Sequence, residues 1–259
     1  MTAVLLTLLF CPLIAYGNET CFFILMIAVI LTGLYEFYSI VLSEDCWREK
    51  IAGLLFSLLI SFIIYQGNYF YFLPLLTFLV IISLILLLIK FREFFKILST
   101  PGIILGGVFY ICLLLSHLIL IRKMNSGREW LFFLMIVTFM GDTAAYYVGS
   151  IWGKHKLYAA VSPKKTFEGS AGGMIGSILG GIIFWTIFLS QLEIYHCLVL
   201  VIGISIMGQF GDLCESMIKR KAGVKDSGKL LPGHGGLLDR IDSIIFSGPF
   251  LYYYLKYIL

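Results

Sequence analysis

The sequence predicts an all-α polytopic membrane protein with about nine transmembrane helices. Three observations predict it. Of the 259 residues, 60% are hydrophobic and only 13% are charged, whereas a soluble domain carries roughly 25% charged residues. The apolar residues gather into runs that match the roughly 20-residue helix needed to cross a hydrocarbon layer. Lys and Arg concentrate in alternate loops, the bias that orients membrane proteins. Nothing between the apolar runs is long enough for a separate soluble domain. This composition excludes a soluble globular enzyme and gives no reason to expect a nucleic-acid partner.

The predicted spans, in order, are residues 2–17, 20–42, 51–66, 69–89, 101–121, 129–149, 169–190, 194–214 and 240–259. The first begins "MTAVLLTLLFCPLIAYG". It has no basic residue before its apolar run and no small-x-small cleavage site, so it reads as a short membrane segment and not as a secretory signal. The third span is also short and suits a tilted, buried or re-entrant helix. With nine spans, the N-terminus and the loops 43–50, 90–100, 150–168 and 215–239 share one face. Most of the 19 Lys and Arg fall there, which predicts a cytoplasmic N-terminus and an outside C-terminus. The six cysteines have no metal-type spacing and read as small hydrophobes between helices. Residues 1–130, about five spans, carry little beyond hydropathy. Residues 131–259, with the loops 150–168 and 215–239, carry the candidates for chemistry.

A charge at the centre of a membrane helix costs about 3 kcal/mol on insertion scales, so carboxylates inside spans are informative. Asp142 in "FMGDTAAYYVG" and Asp212 in "QFGDLCESM" lie toward the cytoplasmic ends of their helices. Glu215 follows Asp212 by three residues, on the same helical face. Asp239 and Asp242 in "LLDRID" stand at the cytoplasmic start of the last span. If these helices adjoin, the acids share one pocket. Clustered carboxylates suit a hard cation, and Mg²⁺ takes one or two of them together with water and substrate phosphates. Asp212 and Asp239 read as metal ligands. Asp242, in a first turn, suits either a metal or the helix dipole. Glu36, alone in the second span, suits either a hydrogen bond to a neighbouring helix or support of the pocket.

"VSPKKTFEGSAGG" precedes the seventh span. Pro163 halts regular structure, Lys164 and Lys165 follow, and Thr166 is a candidate helix cap. Free amides at a helix start beside lysines make an anion site. Gly169, Gly172, Gly173, Gly176, Gly180 and Gly181 have the spacing of close helix packing, and Gly169 could alternatively admit a phosphate to the backbone. "GVKDSGKL" nearly spells a P-loop, but it ends in Leu, no strand precedes it and Leu-Pro follows it, so it is rejected. In "LLPGHGGLLDR" a proline and glycines force a turn that presents His234 next to Asp239.

The stretch "SMIKRKAGVKDSGKLLPGHGGLLDRID" resembles the signature of the phosphatidate cytidylyltransferase (CDP-diacylglycerol synthase) family. The matching residues are Ser216, Lys219, Arg220, Lys225, Asp226, Pro232, His234, Gly235, Gly236, Asp239, Arg240 and Asp242. "SPKKTFEG", with Lys164, Lys165, Thr166, Phe167 and Glu168, resembles a second block of that family, and the segment at Asp142 fits as well. The resemblance covers roughly residues 138–250.

The resemblance implies transfer of CMP from CTP to phosphatidic acid, with Mg²⁺ alone or with a second cation, in a homodimer. The compact length suggests a bacterial inner membrane, with the site facing the cytoplasm. A phosphomonoester is largely dianionic at neutral pH, its second pKa being about 6, so the lipid phosphate needs no base. The obstacle is repulsion between anions, and cations with positioning overcome it. Asp212 and Asp239 are expected to hold the metal with Asp142 and Asp242. Asp212, Asp239, Lys219 and Arg220 are the expected catalytic set. Lys164, Lys165, Thr166, Glu168, Ser216, Lys225, Asp226, His234, Gly235, Gly236 and Arg240 are the expected substrate-binding set. Two alternatives stand beside this reading. A CTP-dependent polyprenol or phytol kinase would transfer the γ-phosphoryl group, and a secondary transporter would place its carboxylates at mid-depth.

Overall fold

The computed structural model describes residues 10–67, 77, 81, 100–228, 230 and 235–259. Most of the predicted spans 2–17 and 69–89, the loop 90–100 and His234 lie outside the described residues. Residues 10–16 are helical. Among the described residues, six helices are long and apolar enough to cross a membrane, and the architecture is all-α apart from one small hairpin.

Helix α1 (Glu19–Val41) starts at Asn18, whose side chain accepts from the Cys21 amide at 2.8 Å, the usual device for satisfying a free helical N–H. A 3₁₀ turn, Glu44–Cys46, leads into α2 (Trp47–Gln66), which stops at Gly67 in a left-handed conformation, φ 98°. Glycine adopts that conformation without a Cβ clash. The next span joins α3 (Thr100–Gly107), a π-helical segment (Val108–Leu113) and α4 (Leu114–Arg122). It is the most deeply enclosed of the six. Tyr38 of α1 donates to the Ile104 carbonyl at 2.8 Å, and a Cβ on Gly107 would come within 2.8 Å of the Phe37 and Tyr38 rings.

Helix α5 (Gly127–Trp152) and helix α6 (Phe167–Phe188) form the tightest pair. Their contact is lined with small residues. A Cβ on Gly173 would meet Ala145 at 3.0 Å, and one on Gly169 would meet the Ala145 carbonyl at 3.0 Å. The packing role expected of these glycines is what the structure contains. Bare backbone lets helices approach closely where burial of apolar surface supplies no drive, as in lipid.

Between α5 and α6 the chain forms an antiparallel hairpin, β1 (Lys156–Tyr158) and β2 (Ser162–Thr166), with Lys156 opposite Thr166 and Tyr158 opposite Ser162. Pro163 lies within β2, so the predicted break in regular structure is instead a short two-stranded ribbon. Helix α7 (Ile194–Lys221) runs two turns past the predicted span end at 214, and Glu215 pairs with Lys219 at i,i+4 in the added turns. That pair favours helix after the apolar run has ended, so the polar loop begins at Ala222 and not at 215. Helix α8 (Leu238–Tyr257) packs along α7, where Gly208 and Gly211 lie under Ser243 and Asp242. Asp239, Arg240 and Asp242 sit in its first turns and Lys256 in its last, so it is more polar than the six apolar spans.

Candidate active site

A cavity of about 660 Å³ opens where α5, the hairpin, α6, α7 and α8 meet. Asp142 enters from α5, Lys156, Lys164 and Lys165 from the hairpin, Gly169 and Ser170 from α6, Asp212 and Lys219 from α7, and Asp239 and Asp242 from α8. The adjacency that the sequence required of three separate helices is therefore present.

The carboxylates fall into two groups. Oxygens of Asp212, Glu215 and Asp242 all lie within 4.8 Å of one another. Asp142 lies beside them and accepts from the Ser243 hydroxyl at 3.4 Å. Lys165 pairs with Asp212, and Ser216 donates to the other oxygen of Asp212 at 3.5 Å. Asp239 belongs to the second group. Its Oδ1 takes Lys219 Nζ at 2.6 Å, and its Oδ2 accepts the amides of Ser227 and Gly236 at 2.9 and 2.8 Å. Both oxygens of Asp239 are thus engaged, and it stands outside the cluster of three that could grip one ion. Glu215, which the sequence reading placed in the pocket but did not name as a metal ligand, completes that cluster, while Asp239 lines the cavity beside it.

Glu215 is 1% exposed, and apart from the Lys219 ammonium neither of its oxygens has a hydrogen-bond donor among the described residues. A buried charge left this bare is costly unless a cation compensates it. Lys219 is shared between Glu215 and Asp239. Lys165 and Lys219 contact acids of this group, whose carboxylates stand at 142, 212, 215, 239 and 242. Lys156 and Lys164 also line the cavity, and the close grouping of Asp212, Glu215 and Asp242 favours a further cation among them. Ligand oxygens on an octahedral Mg²⁺ lie roughly 3–4 Å apart when its bonds are 2.0–2.1 Å, a spacing that the three clustered acids can reach with small side-chain movements. The residues therefore fit a divalent hard cation.

Several expected substrate-binding residues are builders of the site instead of its lining. Thr166 does line the cavity, and its hydroxyl also caps α6 by accepting from the Gly169 amide at 3.1 Å. Glu168 turns away to the loop before the hairpin, where it binds the Lys154 and His155 amides and the His155 ring, the last at 2.6 Å. Arg220 donates to the carbonyls of Val161 and Val224 at 3.4 and 3.3 Å, which ties the hairpin turn to the end of α7. Lys225 and Asp226 are exposed beyond the cavity. Gly235 has φ 79°, and Gly236 is packed against Ser227 and Glu36. Arg240 lies on the opposite side of α8, at an apolar groove with Leu237, Ile241 and Ile244.

Other functional positions were not singled out by the sequence. Lys156 lines the cavity from β1, and Ser170 and Gln209 bond to each other on its wall. The role of Glu36 was open, and the structure resolves it. Glu36 accepts from the Ser227 hydroxyl and from the Leu237 and Leu238 amides, each at 2.9 Å. It thereby occupies the anion position at the start of α8 for which Asp242 had been a contender. His117 and His196 are bonded to Tyr253 and Tyr254 and do not line the cavity.

The chain is 41% identical over 155 residues to the phosphatidate cytidylyltransferase of Bacillus subtilis (strain 168), covering 60% of this chain and 58% of that protein. It is 46% identical over 127 residues to the protein of the same name from Staphylococcus haemolyticus (strain JCSC1435), covering 49% of each. It is 41% identical over 137 residues to that of Staphylococcus saprophyticus, covering 53% of each. The chain thus spans about half the length of the curated relatives it matches. The sequence profile of the cytidylyltransferase family matches residues 1–258, and the chain belongs to that family.

Proposed function

We propose that the chain is a membrane-embedded phosphatidate cytidylyltransferase, which transfers CMP from CTP to phosphatidic acid and yields CDP-diacylglycerol and pyrophosphate. The observation that carries this reading is the meeting, in one cavity, of Asp142, Asp212, Asp239 and Asp242 with lysines from the hairpin and α7, with Glu215 buried behind that lining and clustered with Asp212 and Asp242. In the reaction an oxygen of the lipid phosphate attacks the α-phosphorus of CTP, the bond to the β-phosphate breaks, and pyrophosphate leaves. The attacking oxygen is already ionised, so no side chain has to remove a proton. What the protein must supply is charge neutralisation and alignment.

Lys156 and Lys164 extend into the cavity from the hairpin and suit the outer phosphates. Lys165 and Lys219 sit deeper, among the acids, and suit the reacting centre. Asp212, Glu215 and Asp242, with Asp142 beside them, would hold Mg²⁺. A bound Mg²⁺ would offset phosphate charge and orient the phosphates. Asp239 seats Lys219. The reading also includes nine spans with the N-terminus in the cytoplasm, a cytoplasm-facing site at the inner membrane and a homodimer. The placement of the basic loops supports the orientation and the bacterial relatives support the inner membrane, while the homodimer rests on the family resemblance alone.

Position-specific labels test the reaction. With purified protein, phosphatidic acid and CTP labelled at the α-phosphate, the label is expected in the lipid. With the γ-label it is expected in pyrophosphate. Gamma label in the lipid would instead identify a lipid kinase, and no labelled product with either would remove the enzyme reading.

A further inference from the structure

We propose that Glu36, on α1 in the N-terminal half of the chain, is a positioning residue for the active site. Its buried carboxylate clamps both stems of the connection between α7 and α8, and through them it sets Asp239 and Lys219. The inference rests on the cytidylyl-transfer reading above and adds to it a residue that does not line the substrate cavity.

Glu36 is 5% exposed on an otherwise apolar helix. A carboxylate in such a place is costly unless strong hydrogen bonds satisfy it. Here three donors do so, and all come from the distant connection. Oε2 accepts from the Ser227 hydroxyl and the Leu238 amide, and Oε1 accepts from the Leu237 amide. The last two amides open α8, where a negative charge is favoured by the helix dipole. The fit is close. A Cβ on Gly228 would lie 2.8 Å from Glu36 Oε1, and one on Gly236 would overlap Oε2 and the Ser227 hydroxyl.

Asp239 holds the same two stems from the other side. Ser227 gives its hydroxyl to Glu36 and its amide to Asp239. Gly236 gives its amide to Asp239, and the next two residues give theirs to Glu36. The position of Asp239 Oδ2 is therefore defined by a backbone that Glu36 fixes. Asp239 Oδ1 then holds Lys219, which also meets Glu215. A continuous set of contacts runs from α1 to the wall of the cavity.

The test uses full-length protein in detergent and the variants Glu36→Gln, Glu36→Asp and Ser227→Ala. Gln keeps the shape but turns an NH₂ toward an amide donor. The expected result for Glu36→Gln is a kcat at least about tenfold lower, with the KM for CTP and for phosphatidic acid changed less than about threefold. Glu36→Asp, which keeps both acceptor oxygens, should recover part of the loss. Ser227→Ala should lower kcat by roughly three- to tenfold. Amide exchange at 236–239 should quicken in Glu36→Gln and Ser227→Ala while α5 and α6 stay protected. A kcat within about twofold of wild type in Glu36→Gln, or a loss matched by faster exchange in every helix, overturns the proposal. If Glu36→Gln does not insert, Ser227→Ala decides by the same criteria. Wild-type protein without CMP transfer would sink the functional reading, while quickened exchange confined to 236–239 would still report the clamp.

Discussion

Lys219 illustrates how the site is balanced at the scale of a residue. One ammonium serves two carboxylates, the buried Glu215 and the half-buried Asp239. Removing one partner of a buried pair typically costs about 3–5 kcal/mol, because the other charge is left bare. Lys219→Met is expected to lose stability on that scale, and Lys219→Met combined with Glu215→Gln to regain part of it. Chemical denaturation in detergent measures both. Asp212→Asn should leave the fold in place and lower CMP transfer by about 100-fold or more, since preorganised charge is a large share of such catalysis. Steady-state kinetics on monodisperse protein checks it. Much of this was legible in the sequence. Helical spacing alone puts Asp212, Glu215 and Lys219 on one face, and a carboxylate in an apolar run is costly enough to signal use. The division of labour was not legible. Asp239 and Asp242 look alike in "LLDRID", and only the folded connection, which brings the Ser227 and Gly236 amides onto Asp239, separates an acid anchored to that connection from one that joins the carboxylate cluster. Glu36 was recognisable as an anomaly, but its donors lie 191 to 202 positions away.

At the scale of elements, the hairpin and α6 form one device. Thr166 ends β2 and caps α6, and Glu168 in the first turn of α6 fixes the chain entering the hairpin. Thr166→Ala should destabilise α6 by about 1 kcal/mol, the usual cost of losing such a cap. Because Lys164 and Lys165 directly precede Thr166, the same change should raise the KM for CTP, and thermal shift with kinetics would register both effects. The glycine face of α6 is stricter. A Cβ on Gly172 would meet Val148 at three of its carbon atoms, so Gly172→Leu should separate α5 from α6 and abolish activity along with monodispersity. The glycine spacing announced that contact in the sequence, because small residues three and four apart can form one helical stripe. The hairpin left no comparable trace. Its strands have three and five residues and include Pro163 and two adjacent lysines, a composition that suits a solvated loop equally well. The extra turns of α7 were hidden for a related reason: hydropathy ends where the lipid does, while the helix continues on i,i+4 ion pairing.

For the whole molecule, hydropathy located the six apolar helices among the described residues to within a few positions, apart from the end of α7, while the predicted span 240–259 is a helix more polar than those six. It could not say which helices touch. That order decides the function, because the site exists only where α5, α6, α7 and α8 meet. The central claim is that this meeting creates one divalent-cation site. Mn²⁺ can stand in for Mg²⁺ at oxygen ligands and scatters anomalously, so diffraction at its absorption edge from crystals grown with Mn²⁺ and CTP tests the claim most directly. An anomalous peak about 2.1–2.3 Å from carboxylate oxygens of Asp212, Glu215 and Asp242 is the predicted result. A fully occupied CTP with no peak at these acids, or with the ion held elsewhere, would contradict it.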